Sequence, residues 1–162
     1  MARADEHLPG LCSGRSRPAG GGDRRTSRRP GRLWLGLLAE AHLQAGQFDE
    51  ALTALDRAAE AATATGESHY QAEIYRLRGV LLGETGENAE ATAWLQRAID
   101  TAHSQQAKSL ELRAATSLAR LWSEQGKRAQ ARHLLAPVYG WFTEGFDTAD
   151  LKEARALLDE LT

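Results

Sequence analysis

Gly126-Lys127-Arg128-Ala129-Gln130-Ala131 is the third occurrence of one pattern, after Gly46-Gln47-Phe48-Asp49-Glu50-Ala51 and Gly86-Glu87-Asn88-Ala89-Glu90-Ala91. The copies stand 40 residues apart, and the agreement runs past the motif. Leu55, Leu95 and Leu135 follow each Ala at the same distance, and Ala58, Ala98 and Val138 follow those. Four columns in step over three copies mark stacked supersecondary units, each too small to bury its own apolar face.

Outward from each glycine, the apolar residues recur at three- and four-residue steps, the spacing of a helical stripe. Over about 32 to 45 they are Trp34, Leu35, Leu38, Ala41, His42 and Ala45; from 48 to about 66 they are Ala51, Leu52, Leu55, Ala58, Ala59 and Ala62. A second pair is expected over about 68–85 and 88–107, a third over about 109–125 and 128–144. Glycine between the members of a pair suits the left-handed residue that ends a helix. Pro137 falls inside the last of these helices, where a kink is expected to swing Tyr139, Trp141 and Phe142 onto a new surface. Asp147 and Thr148 then offer caps to a final helix, about 149–161, with Leu151, Ala154, Leu157, Leu158 and Leu161 on one side. No segment alternates with the period of a strand.

Apolar residues make up 42% of the chain and charged residues 26%, ordinary for a water-soluble domain. The net charge of -2 conceals an asymmetry. Residues 1–31 hold seven arginines against Asp5, Glu6 and Asp23, whereas the remainder holds 13 basic and 19 acidic residues. The first segment, rich in Gly, Pro, Ser and Arg, has no apolar periodicity to offset the entropy of ordering, so it reads as a disordered basic tail. Without interleaved aromatics its arginines are a weak signal for nucleic acid. Cys12 is the lone cysteine, which excludes an internal disulfide and a multi-cysteine metal site. Ser27-Arg28-Arg29 before Leu33-Trp34-Leu35-Gly36-Leu37-Leu38-Ala39 imitates a twin-arginine export signal, but Glu40 and His42 cut the apolar run short and no cleavage site follows. No run approaches a membrane span, and a cytoplasmic location is expected.

The columns resemble the tetratricopeptide repeat, a helix-turn-helix unit. The small residues that let its helices approach fall on Ala39, Gly79 and Ala119 in the first helices and on Ala51, Ala91 and Ala131 in the second. His42, Leu82 and Trp122 take a bulky packing position. Arg78 stands where the family has Leu, and no copy has the proline that closes the family's unit, in keeping with a period of 40. The resemblance implies a right-handed superhelix of three antiparallel helix pairs, about 32–67, 68–107 and 108–146, plus a C-terminal capping helix at 149–161. Residues 106–122 and 135–154 more narrowly resemble the C-terminal repeat region of bacterial signalling proteins that carry a nucleotide cyclase and an ATPase module. That likeness implies a regulatory or sensor fragment, with an upstream cyclase or ATPase domain as a partner.

No phosphate-binding loop, paired cysteines, H-E-x-x-H or catalytic triad occurs, so no enzyme, cofactor or metal is expected. His69 and Glu73 lie one turn apart but lack a third ligand. The family lines its concave face with the first helix of each pair. This puts Glu40, then Glu73 and Arg76, then Arg113, Thr116, Arg120, Ser123 and Glu124 in place to meet a peptide or a neighbouring domain. Arg76, Arg113 and Arg120 suit an acidic peptide through bidentate contacts; alternatively they pair with neighbouring glutamates. The carboxylate clamp of Asn and Lys that some of these repeats use cannot be built, Asn88 being the only Asn.

Overall fold

The computed structural model describes residues 32–65 and 70–162. Seven helices occupy them: α1 Arg32–Gln44, α2 Phe48–Thr65, α3 Gln71–Glu84, α4 Asn88–Ser104, α5 Lys108–Glu124, α6 Arg128–Gly140 and α7 Ala149–Glu160. Among the described residues there is no strand. The expected disordered tail and His69 lie outside them.

The three signature glycines end α1, α3 and α5 alike. Gly46, Gly86 and Gly126 have φ of 71°, 87° and 76°, where an L side chain is disfavoured. The N–H of each glycine donates to the carbonyl three residues back, and the following N–H to the carbonyl five back, as Gln47 does to His42 at 2.8 Å. This doubly bonded turn satisfies the orphan carbonyls of the helix end and reverses the chain within three residues. The next helix then lies against the one just left.

Small side chains keep each pair close. Ala39, Ala51, Ala91, Ala119 and Ala131 are fully buried, with Leu55, Leu95 and Leu135 beside them. At Gly79 even a methyl group has no room: a Cβ there would lie 2.5 Å from Cγ of Leu95 and 3.1 Å from the carbonyl oxygen of Ala91. α3 packs on both sides. Ile74, Leu77 and Leu81 join α1 and α2 in one core, while Tyr75, Val80 and Leu82 lie against a second core built from α4 to α7.

Contacts between the pairs set which side is inner. α1 touches α3, α3 touches α5 and α5 touches α7, whereas α2, α4 and α6 do not touch one another. The first helices thus form the inner row, and α7 extends that row as its fourth member. Leu151, Ala154, Leu157 and Leu161 are buried, with Lys152, Glu153, Arg155, Asp159 and Glu160 facing water. The result is an all-α helical repeat whose third pair is covered by α7.

Several boundaries differ from the sequence expectation. α4 ends at Ser104, not near 107, because Gln106 takes the left-handed conformation (φ 55°) and makes the same doubly bonded turn without a glycine. α6 stops at Gly140, three residues past Pro137, instead of running to 144. Of the three aromatics expected on a new surface only Trp141 is exposed; Tyr139 and Phe142 pack on the α4–α7 core. Arg78, in the place of a leucine, bridges two second helices: it pairs with Asp56 on α2 at 3.1 Å and lies over the Trp94 ring on α4 at 5.1 Å.

Candidate functional site

The expected contact residues separate into three groups. Glu40, Glu73, Arg76 and Arg113 come together with Asp150 in one ion network that crosses α1, α3, α5 and α7. Arg76 grips Glu73 with two N–H groups, at 2.8 and 3.0 Å, and reaches Glu40 at 3.3 Å. Arg113 donates to the same Glu73 carboxylate, 2.9 Å away, lies 3.4 Å from Glu40, and stands 3.7 Å from Asp150. Burial disfavours the charge on Arg76, but Glu73 and Glu40 outweigh it and hold the guanidinium more firmly protonated than an ordinary arginine. Arg76 is buried, its N–H groups reach Glu73, Glu40 and the Ser117 hydroxyl at 3.4 Å, and it also borders the groove described below. The network cross-links the inner row.

Thr116 forms the second group alone. It is buried, and its hydroxyl donates to the Leu112 carbonyl at 2.8 Å. Its place in the helix matched a surface register, but the first helices pack too closely there to leave it open.

Arg120, Ser123 and Glu124 form the third group and stay accessible. They line a groove that runs along α3, α5 and α7. One part of it, about 370 Å³, has a floor of Gly79, Val80, Gly83, Leu95 and Leu121; the other, about 300 Å³, reaches Leu157. The two parts share Arg120, Glu124 and Glu153. Gly83 matters to the floor: unlike at Gly79, a Cβ there would meet only ordinary contacts, Leu121 at 3.4 Å and Ala91 at 4.0 Å. Arg120 pairs with Glu153 at 2.7 Å, both half exposed. Glu84, Glu124 and Glu160 on the rim have no side-chain partner among the described residues. Apart from Arg128, which donates to the backbone carbonyl of Glu160, the free charge of the groove is therefore negative. The repeat register also puts Val80, Gly83 and Glu84 on the concave face, whereas sequence reasoning missed Glu160, which lies on α7 beyond the three pairs.

No group of three His, Cys, Asp or Glu among the described residues is placed to hold a metal ion. No described helix is long and apolar enough to cross a membrane.

Fold and groove together define the class: an all-α helical repeat with an open groove along its inner row. Residues 31–104, the first two pairs, match the model of the tetratricopeptide repeat, a unit that generally mediates contact between proteins and is not itself catalytic. No curated protein matches the chain. The match ends at 104, but the Gly, Ala and Leu columns and the glycine turn continue into the third pair.

Proposed function

We propose that this chain is a non-enzymatic interaction module that takes a segment of a partner protein in the groove along α3, α5 and α7. The segment carries positive charge next to an apolar side chain. One observation carries this reading: Arg76, Arg113 and Arg120 are each already paired with a carboxylate, leaving Glu84, Glu124 and Glu160 unpaired around an apolar floor that includes Gly83. An acidic peptide would have to displace those pairs, whereas a basic one meets free carboxylates. Ion pairs this exposed contribute at most about 1 kcal/mol each, so charge selects and orients the segment while the floor supplies most of the affinity. Arg120, Ser123 and Glu124 contact the partner, and Glu40, Glu73, Arg76 and Arg113 hold the inner row in shape. A cytoplasmic partner suits this reading.

Panning a random dodecapeptide phage library against the chain tests it. Selected sequences should be rich in Lys or Arg beside Leu, Ile, Phe or Met, and should lose binding to Gly83→Phe, which fills the groove. Selection of acid-rich peptides, or binding indifferent to Gly83→Phe, would refute the assignment.

A further inference from the structure

Glu84 and Glu124 stand one 40-residue period apart, and each is the last residue of its helix, α3 and α5. The same column on α1 is Gln44, which carries no charge. α7, the fourth member of the inner row, ends in the same way, on Glu160. These three helix ends lie side by side. Glu84 and Glu124 line one part of the groove, Glu124 and Glu160 the other. Arg128, at the start of α6, donates to the Glu160 carbonyl and ties the end of α7 to the turn that follows α5. Packed helix axes are about 8–10 Å apart, so the groove presents one exposed carboxylate per helix spacing. Each sits at a helix C-terminus, where the backbone dipole adds to its negative charge.

We infer that the partner segment seated here is extended, in the polyproline II conformation, with Lys or Arg at every third residue to meet Glu84, Glu124 and Glu160 in turn. The inference rests on the groove assignment above and adds the conformation and spacing of the segment. Dimensions select it. Polyproline II rises about 3.1 Å per residue with three residues per turn, so side chains three apart share a face at about 9 Å. That matches one helix spacing and stays in step over two. Same-face side chains on a β-strand are about 6.6 Å apart, which would leave the second basic group between two carboxylates. An α-helix presents residues seven apart at about 10.5 Å, but with side chains it is about 10–12 Å across. Over two helix spacings it would fill roughly 1,600 Å³, more than twice the two parts of the groove, about 370 and 300 Å³. Another face of the segment turns its apolar side chains to Val80 and Leu121 in the floor. Arg128 beside Glu160 makes the third of the contacts the weakest.

Fluorescence anisotropy of labelled synthetic peptides, titrated with the full chain, provides the test. One dodecapeptide of Pro, Leu and Lys carries lysines at its third, sixth and ninth positions. A second, of the same composition, carries them at the third, fifth and seventh, and a longer Ala-rich helical peptide carries three lysines seven apart. The first should bind about tenfold more tightly than either other, because misplaced lysines forfeit exposed ion pairs. Its affinity should fall in Glu84→Gln and Glu124→Gln and fall less in Glu160→Gln, with unchanged helicity by circular dichroism because all three residues are exposed. Equal affinity for the three peptides, or a preference for the second or third, would overturn the inference. If that binding were still lost in Gly83→Phe, the groove assignment would stand without the spacing. Binding of no peptide, or binding indifferent to Gly83→Phe, would overturn both.

Discussion

Arg76 on α3 holds Glu40 on α1 at 3.3 Å, across the seam between the first helix pair and the second. The same guanidinium holds Glu73 at 2.8 Å, and Arg113 carries the connection on to α5 and α7. Repeat stacks depend on the interface between neighbouring units, and here that interface is apolar inside and ionic along its inner edge.

Replacing Arg76 by Met keeps the apolar stem but strips the partly buried Glu73 of its bidentate partner. Breaking a buried pair from one side is costly because it strands the remaining charge. With Arg113 still near, the expected loss is about 2–3 kcal/mol in urea unfolding. Adding Glu73→Gln should recover a good part of it. An unchanged midpoint for Arg76→Met would mean that the network contributes nothing to stability.

Two glycines one turn apart on α3 should respond to alanine with opposite signs. Gly79→Ala forces a Cβ into Leu95 and the Ala91 carbonyl, and overpacking of about 1–3 kcal/mol exceeds the helix-propensity gain. Gly83→Ala meets only an ordinary contact and should gain up to about 1 kcal/mol. The paired thermal or urea midpoints check both. Equal shifts would contradict the close approach of α3 and α4.

The Glu111 side chain predicts an acid-sensitive contribution. Burial pushes its carboxyl up, but Lys108 at 2.7 Å and His103 at 3.1 Å outweigh burial and hold it below its ordinary 4.5. A depressed carboxyl stabilises the fold above its unfolded pKa and loses that contribution as pH falls through the folded value. Glu111→Gln should therefore cost about 1 kcal/mol at neutral pH, and its difference from the parent should narrow below pH 4.5. A difference that stays constant from pH 7 to pH 3 would show that the charge on Glu111 does not stabilise the fold.

What the sequence revealed depended on how tightly geometry restricts residue type. A turn at positive φ favours glycine, and two helix backbones in contact demand Gly or Ala, so Gly46, Gly86, Gly126 and the buried alanines stood out as columns. The turn at Gln106 did not, because a left-handed non-glycine costs only about 1 kcal/mol and leaves no compositional mark. For the candidate site, the register told which helix face Arg76, Arg113 and Arg120 occupy. It could not tell which carboxylates they meet, since Glu40 is 36 and 73 residues away from its two partners. Thr116 shared the register of its neighbours but not their exposure, which depends on how closely α3 and α5 approach.

Truncation after Gly145 removes α7 and uncovers the apolar side of α5 and α6 that Leu151, Ala154, Leu157 and Leu161 bury. Burying a leucine contributes about 1.5–3 kcal/mol, so the shortened chain should be markedly less stable and should associate through its bared end. Size-exclusion chromatography beside the intact chain measures this. A truncated form that keeps its helicity and elutes with no added association would mean that α7 is not a cap.

The groove assignment is tested most directly by nuclear magnetic resonance of the isotope-labelled chain, titrated with a basic dodecapeptide selected from the phage library. The amides of Val80, Gly83, Glu84, Leu121, Glu124 and Glu153 should shift together and saturably, and the Glu84→Lys, Glu124→Lys double variant should show the shifts reduced at least tenfold in apparent affinity. Shifts centred on α2, α4 and α6, or undiminished in the double variant, would contradict a partner seated along the inner row.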